Sequence, residues 1–285
     1  MRKRKIMFWL LPTLIVVLFL LFLSVFNLLP ILWMVFTSLK IPSDVYHVPI
    51  KFLPTRFSLW NYRTVLFGSE FSGTTMPKYL FNGLVISSST VLLSVIMGLL
   101  AGYSFTRYSF PGKDKMLNYI LYTTALPRVI IILPLYILMV KARLQGTYLG
   151  LVFVYLVVTL PISVWFFISF FRTIPRELDE AARIDGCTTL QLLWKVVVPL
   201  VRPGIFATVM YSFVQAWNEY LLALVFSSSR TAPATVGLVG YLGETGVHWG
   251  PLMAASCIMT VPTVFLFTAF GKYLAKGLVA GAVKG

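Results

Sequence analysis

Between Lys5 and Lys40 the chain runs through residues 6–39 without one charged side chain. A hydrocarbon core about 30 Å thick is crossed by roughly 20 apolar residues in a helix, whereas a soluble helix needs only one apolar stripe. Five further apolar stretches follow, placing candidate spans at residues 7–29, 81–105, 117–140, 149–171, 204–226 and 252–271, with 30–39 extending the first. Runs of this length exclude a closed β-barrel, whose strands would be short and alternating. The expectation is an all-α membrane protein of about six transmembrane helices, with the lipid bilayer as its first partner.

A net charge of +15 would in a soluble protein point to nucleic acid. Here the basic residues fall between the apolar stretches, so they set orientation instead, and nucleic-acid binding is excluded. One side receives Arg2, Lys3, Arg4, Lys5, Arg107, Lys113, Lys115, Arg172, Arg176, Arg183, Lys195, Arg202, Lys272, Lys276 and Lys284. The other receives only Lys40, Lys51, Arg56, Arg63, Lys78, Lys141, Arg143 and Arg230. The richer side is expected to be cytoplasmic and holds both termini. The resulting division is a cytoplasmic tip and first transmembrane helix over 1–40, an external loop over 41–80, a five-helix core over 81–271 containing a cytoplasmic loop at 172–203, and a cytoplasmic tail over 272–285. The start is basic like a secretory signal, but the apolar stretch behind it is about twice too long for one, which predicts a retained helix.

Chemistry is sparse. His47 and His248 have no partner at ligand or triad spacing, Cys187 and Cys257 lie in unrelated segments, and no zinc, nucleophile-elbow or P-loop motif occurs. No catalytic residue, metal site or cofactor is expected on this chain; ATP and magnesium, if used, belong to other subunits. Arg128, Asn218 and Glu219 do fall in apolar stretches, where ionisable groups are costly and mark function or a structural hydrogen-bond network. With Tyr220 they are candidates for the wall of a translocation path, with Arg128 and Glu219 as a pair. Pro127, Pro134 and Pro161 interrupt helical hydrogen bonding, and Gly98 and Gly102 form a G-x-x-x-G pair that permits close helix approach.

The segment ELDEAARIDG, residues 177–186, holds four of the nine acidic residues. Pro175 suits a first helical turn, the acids favour the positive end of the helix, and Gly186 suits the left-handed position beyond its end. Thr188 and Gln191 have capping-box spacing for a second helix, bounded by Pro199 and Pro203. The pattern spells helix, glycine turn, helix on the cytoplasmic side: either a docking element or a solvated amphipathic loop.

Glu180, Ala181, Ala182 and Gly186, followed after nine residues by Val196, Val197, Val198 and Pro199, resemble the E-A-A, G, I-x-L-P motif of importer-type ABC permeases, with valine in place of the isoleucine and leucine. LWNY at 59–62, Asn82, FPGK at 110–113, LPLY at 133–136, AWNEY at 216–220 and GLVAGAVKG at 277–285 are similar to segments of the maltose-type sugar permeases, in the same order. The resemblance implies a permease of the prokaryotic plasma or inner membrane. It also implies a second permease, two cytoplasmic ATPase subunits, an extracytoplasmic substrate-binding protein and a sugar substrate. Glu180, Ala181, Ala182, Asp185, Gly186 and Pro199 would form the coupling helix and its surroundings, and Gly281, Ala282, Val283, Lys284 and Gly285 a tail contact with the ATPases. Asn218 and Tyr220 suit a neutral di- or oligosaccharide; Arg128 leaves open an anionic one, such as a sugar acid, or glycerol phosphate. An ion-coupled secondary transporter is the more distant alternative, since only Glu219 offers a carboxylate within a span.

Overall fold

The computed structural model describes the backbone of residues 2–68, 75–243 and 246–282, and the side chains of residues 13–68, 75–243 and 246–271. In chain order the elements are α1 (Arg2–Ser38), α2 (Pro42–Val45), α3 (Trp60–Phe67), α4 (Met76–Arg107), α5 (Lys113–Ala125), α6 (Arg128–Lys141) and α7 (Tyr148–Phe171). There follow α8 (Glu177–Ile184), α9 (Thr189–Leu192), a π turn (Leu193–Val197), α10 (Val198–Leu200), α11 (Arg202–Trp217), α12 (Leu221–Phe226) and α13 (Ala234–Gly237). A short 3₁₀ turn (Leu238–Tyr241), the paired strands β1 (Leu242–Gly243) and β2 (Gly246–Val247), and α14 (Trp249–Ala282) complete it.

Four helices are long and apolar enough to cross a membrane without a break: Thr13–Ser38 of α1, all of α4 and α7, and Trp249–Gly271 of α14. Two bent pairs bring the number to as many as six, α5 with α6 at 105° and residues 189–200 with α11 at 80°. The expected number of about six spans is reached when each bent pair counts as one. Pro127 forces the first break: the residue before a proline is driven out of helical geometry, and Leu126 is extended (φ −70°, ψ 131°). The expected span 204–226 stops at Trp217 and resumes at Leu221. Pro134, Pro161 and Pro262, by contrast, are carried inside α6, α7 and α14.

The chain divides into two compact units, Met1–Thr75 with Gly240–Met259, and Met76–Val239 with Thr260–Gly285. In the first, the end of α1 leaves carbonyls without helical partners. Asn61 of the LWNY segment supplies them, its amide donating to the carbonyls of Ser38 (2.9 Å) and Lys40 (2.8 Å), while the Ser58 amide donates to Leu39 (2.9 Å). Asn61 is itself buried. The stretch from Thr13 to Leu32 is exposed within the chain, which leaves that face of α1 to lipid or to another subunit.

The second unit is built around α4, α7 and α11. In lipid the hydrophobic effect does not drive helices together, so close packing and interhelical hydrogen bonds must. A Cβ added at Gly98 would stand 2.9 Å from the Ser163 Cβ, and one at Gly102 would stand 2.6 Å from the Phe167 Cβ. Beside these glycines the buried Ser163 hydroxyl meets those of Ser94 (2.7 Å) and Ser212 (3.1 Å), tying the three helices together. Asn82 donates to the carbonyls of Arg230 (3.0 Å) and Ala232 (2.9 Å) and accepts from the Tyr148 phenol (2.5 Å), so it pins the 230–232 loop to α4 and α7. Gly102→Val should cost about 1–3 kcal/mol by overpacking, seen as a lower thermal-unfolding midpoint of the purified chain in detergent. A midpoint equal to that of the parent would show that α4 and α7 do not approach this closely.

Candidate functional site

Residues 174–201 form a compact knuckle joining α7 to α11. Its helix α8 ends as the glycine spacing requires: Gly186 sits at φ +81°, its amide donates to the Arg183 carbonyl (3.0 Å), and the Cys187 amide donates to Ala182 (3.0 Å). These two bonds are the Schellman arrangement that satisfies the last carbonyls of a helix. The capping box forms as well. The Thr188 amide donates to Gln191 Oε1 (2.9 Å) and the Gln191 amide to Thr188 Oγ1 (3.3 Å). Beyond it the helix widens into the π turn, where the Val198 amide reaches back to the Leu193 carbonyl, immediately before Pro199.

What holds α8 down is a charge pair that the sequence reading did not anticipate. Asp179 is buried, and its carboxylate meets Arg107 Nε at the end of α4 at 2.7 Å, with both side chains at most 10% exposed. The Arg107 guanidinium also donates to the Ile174 carbonyl (3.2 Å), and Arg176 reaches back to the Thr106 carbonyl (3.1 Å). The Arg183 guanidinium donates to the phenol oxygens of Tyr108 and then Tyr103, which raises its pKa above the usual arginine value and makes a third tie between α8 and the region where α4 ends. Below α8, Ala182 packs with Leu99, Phe171, Leu192 and Val197 in one buried cluster. Asp179 and Ala182 are three residues apart and so share a helix face, which was the available clue.

The two alanines therefore part company: Ala182 belongs to the core of the chain and Ala181 is exposed. Glu177, Glu180, Asp185 and Gly186 are also exposed, and Pro199 is half-buried. Among them Leu178, Ile184, Leu190 and Trp194 present large apolar side chains, Ile184 at 86% exposure. The knuckle thus carries exposed large apolar side chains among acidic ones and the basic Arg176, Arg183 and Lys195, while α8 is fastened on its buried face. Of the expected tail contacts, Gly281 and Ala282 lie on the helical backbone of α14, and Val283, Lys284 and Gly285 lie outside the described residues.

The second site lies where the two interrupted helices meet. Arg128 opens α6 directly after Pro127, and its guanidinium is ion-paired with Glu219, which stands in the gap between α11 and α12. The Arg128 guanidinium also donates to Gln215 Oε1 (3.3 Å). The carboxylate of Glu219 accepts the Leu222 amide (3.0 Å), a donor that the start of α12 leaves free, and its carbonyl accepts the hydroxyls of Thr235 (2.8 Å) and Tyr155 (3.4 Å). Glu219 is sealed in, at 3% side-chain exposure, whereas Arg128 is 43% exposed. Asn218 and Tyr220 flank it and are exposed, the Asn218 amide turned back to the Val214 carbonyl (2.9 Å). The four residues singled out from sequence thus come together, while Gln215, Tyr155 and Thr235 carried no isolated signal. Among the described residues no three His, Cys, Asp or Glu side chains gather as a metal site.

A family model described as "binding-protein-dependent transport system inner membrane component" matches residues 94–279. The chain is 36% identical over 262 residues to the sulfoquinovosyl glycerol transport system permease protein of Agrobacterium fabrum, covering 91% of this chain and 90% of that protein. It is 34% identical over 268 residues to the trehalose/maltose transport system permease protein of Thermococcus litoralis, covering 92% and 93%. Among solved structures, a chain of a bacterial ABC transporter involved in import of the acidic polysaccharide alginate superposes with a TM-score of 0.79 at 20% identity, covering 92% of this chain and 95% of that one. That last likeness is one of fold.

The Arg107–Asp179 pair is open to a direct test. Removing one member of a buried pair costs about 3–5 kcal/mol, so Arg107→Ala should loosen α8 from α4. Cys187, which packs at the edge of the same cluster, then becomes the reporter: its maleimide labelling in membranes should accelerate at least about tenfold. An unchanged rate would mean that α8 is held by the apolar contacts alone.

Proposed function

The chain belongs to the family of binding-protein-dependent transport system inner membrane components as a permease of the carbohydrate type and not an enzyme, and on that premise we propose how it works. It lines, with a second permease subunit, the path of an imported di- or oligosaccharide delivered by an extracytoplasmic binding protein. Two separate cytoplasmic ATPase subunits drive it, and they grip α8. Both termini and the knuckle face the cytoplasm, in keeping with the lysine and arginine excess on that side.

The observation that carries this reading is the asymmetry of α8: a buried, ion-paired underside beneath an exposed face of Ile184, Leu178 and acidic side chains. Nucleotide binding on another subunit can shift this chain between states only through contacts that differ between those states, and such contacts need a stiff handle. From the knuckle the path is short, through the π turn and α10 to α11, whose far end is the break at Glu219. Alternating access then amounts to α11 and its neighbours moving about the polar pair, as helices broken beside a substrate path do in other transporters.

The half-exposed Arg128 favours a more specific substrate, an acidic sugar, whose carboxylate or sulfonate would share the guanidinium with Glu219. The transport system of the Agrobacterium relative is named for sulfoquinovosyl glycerol, which is consistent with that chemistry.

Two variants test these proposals in the assembled transporter. Gly186→Val meets no neighbouring atom but must hold φ near +81°, at a cost of roughly 1–2 kcal/mol for an L side chain. It should cut uptake and recovery of the ATPase subunits on purification while leaving the membrane level of the chain near normal; full transport would remove α8 from the coupling role. Arg128→Gln should lower uptake of acidic sugars at least about tenfold more than uptake of neutral ones, the share of one charge-assisted contact. Equal losses for both classes would confine Arg128 to supporting the helix break.

A further inference from the structure

Within the first unit, α1 and α14 flank a half-open cavity of about 270 Å³ that none of the transport chemistry uses. The last turns of α1 contribute Trp33 and Thr37, one helical turn apart, the turn just beyond α1 contributes Lys40, and α14 contributes Trp249 and Met253 from its first turns. Val45 and Ile50, from the connection that follows α1, close the remaining side.

Its polar content is small and unusual. Thr37 is 4% exposed, and its hydroxyl has no hydrogen-bond partner among the described residues. A buried polar group left in that condition costs about 1–3 kcal/mol. Lys40 is 1% exposed; its ammonium donates once, to the Lys51 carbonyl (2.5 Å), and lies 4.3 Å from the centre of the Trp33 ring. An ammonium has three donors, and among the described residues the Lys51 carbonyl takes one while the Trp33 ring faces the charge. The neighbouring carboxylate, Asp44, is already engaged by the amide of Thr55 (2.9 Å), by the Thr55 hydroxyl and by Lys51 (3.3 Å). Two cations thus face one occupied anion, and the local balance is positive. Burial draws the Lys40 pKa below the ordinary lysine value against the opposing pull of Asp44, a cost that a bound anion would offset.

The surroundings are those of a membrane interface. Tryptophan collects at the headgroup level of bilayers, and two line this cavity. The connection beside it exposes Val48 at 88%, Ile50 at 75% and Phe57 at 74%, more apolar surface than a water-facing loop would carry singly. The volume lies below the roughly 300–1,000 Å³ of pockets for drug-sized ligands, too small for an oligosaccharide and poor in the several hydrogen-bonding groups that a neutral sugar requires. One cation, one unpaired hydroxyl and an apolar wall open to the exposed flank of α1 match an amphiphile with a single anionic oxygen cluster.

We propose that this cavity holds the phosphodiester headgroup of an anionic phospholipid, with Lys40 and Thr37 donating to phosphate oxygens and the acyl carbons running along α1 beside Trp33. The topology proposed above makes it an outer-leaflet lipid. Binding itself does not depend on that reading, because the measurement is lipid retention and not uptake.

The full chain, purified and delipidated in detergent, is offered phosphatidylglycerol, and retained lipid is counted by native mass spectrometry. One tightly held lipid is expected per chain. Thr37→Val, which keeps the side-chain shape, and Lys40→Met should each lower retention at least about fivefold, and the first serves alone if the second fails to fold. Millimolar inorganic phosphate should not displace the lipid, and a diacylglycerol without phosphate should not replace it. Equal retention by parent and Thr37→Val would overturn the proposal, as would full displacement by phosphate, which would mark a simple anion site. Equal retention of the phosphate-free diacylglycerol would do the same by marking an apolar crevice, as would loss of the lipid on assembly with the second permease by showing that a protein surface fills the cavity.

Discussion

Inside a bilayer no water completes the hydrogen bonds of a backbone that leaves helical geometry, so every break in a span must be satisfied by the protein itself. In this chain two breaks meet at one ion pair. Pro127 ends α5 and releases Arg128 at the head of α6; three residues between α11 and α12 place Glu219 opposite it. The carboxylate serves a free amide of α12 and the Arg128 guanidinium at once, and the Glu219 carbonyl is taken by Thr235 and Tyr155. Removing the pair would leave α6 and α12 with unsatisfied polar groups in apolar surroundings. The same economy leaves Arg128 half-exposed, so that its structural role leaves room for the substrate contact proposed above.

A second pair gives the knuckle its stiffness. Arg107 and Asp179 join the end of α4 to α8, and the seam of Ala182, Leu192 and Val197 against Phe171 and Leu99 fills the space beneath. An exposed helix attached only by its loops would absorb a push from a partner. Here α8 is fastened on its inner face, and the chain leaves it through a capped turn and a π turn into α11. Both polar anchors are therefore connected by one run of backbone. The glycine contacts of α4 with α7 give that run a firm wall to work against.

Much of this was legible beforehand because it is written in local chemistry. Gly186 needs a left-handed turn wherever it stands after a helix, and Thr188 with Gln191 closes a capping box whatever surrounds it. The Arg128–Glu219 pair was also foreseeable, since two opposite charges in apolar stretches have few other partners. Pro127 marked one interruption, but hydropathy averages over a window and passed smoothly across Asn218–Tyr220, where no proline signals the break between α11 and α12. The inward turn of Asp179 was missed for a different reason: an acid on a cytoplasmic helix is at home in water, and only Arg107, 72 positions earlier in the chain, makes burial acceptable.

By itself the sequence determined a helical membrane protein of about six spans, the turn chemistry of the knuckle and the family that its motifs resemble. These follow from side-chain type and spacing along the chain, quantities that folding does not alter. Only the tertiary structure decided where the spans bend, that Ala182 is core while Ala181 is surface, and that Asn61 closes the end of α1. It alone placed Thr37 and Lys40 beside a cavity. Each of these depends on which distant group supplies a hydrogen bond or a charge, and that is set by packing between elements.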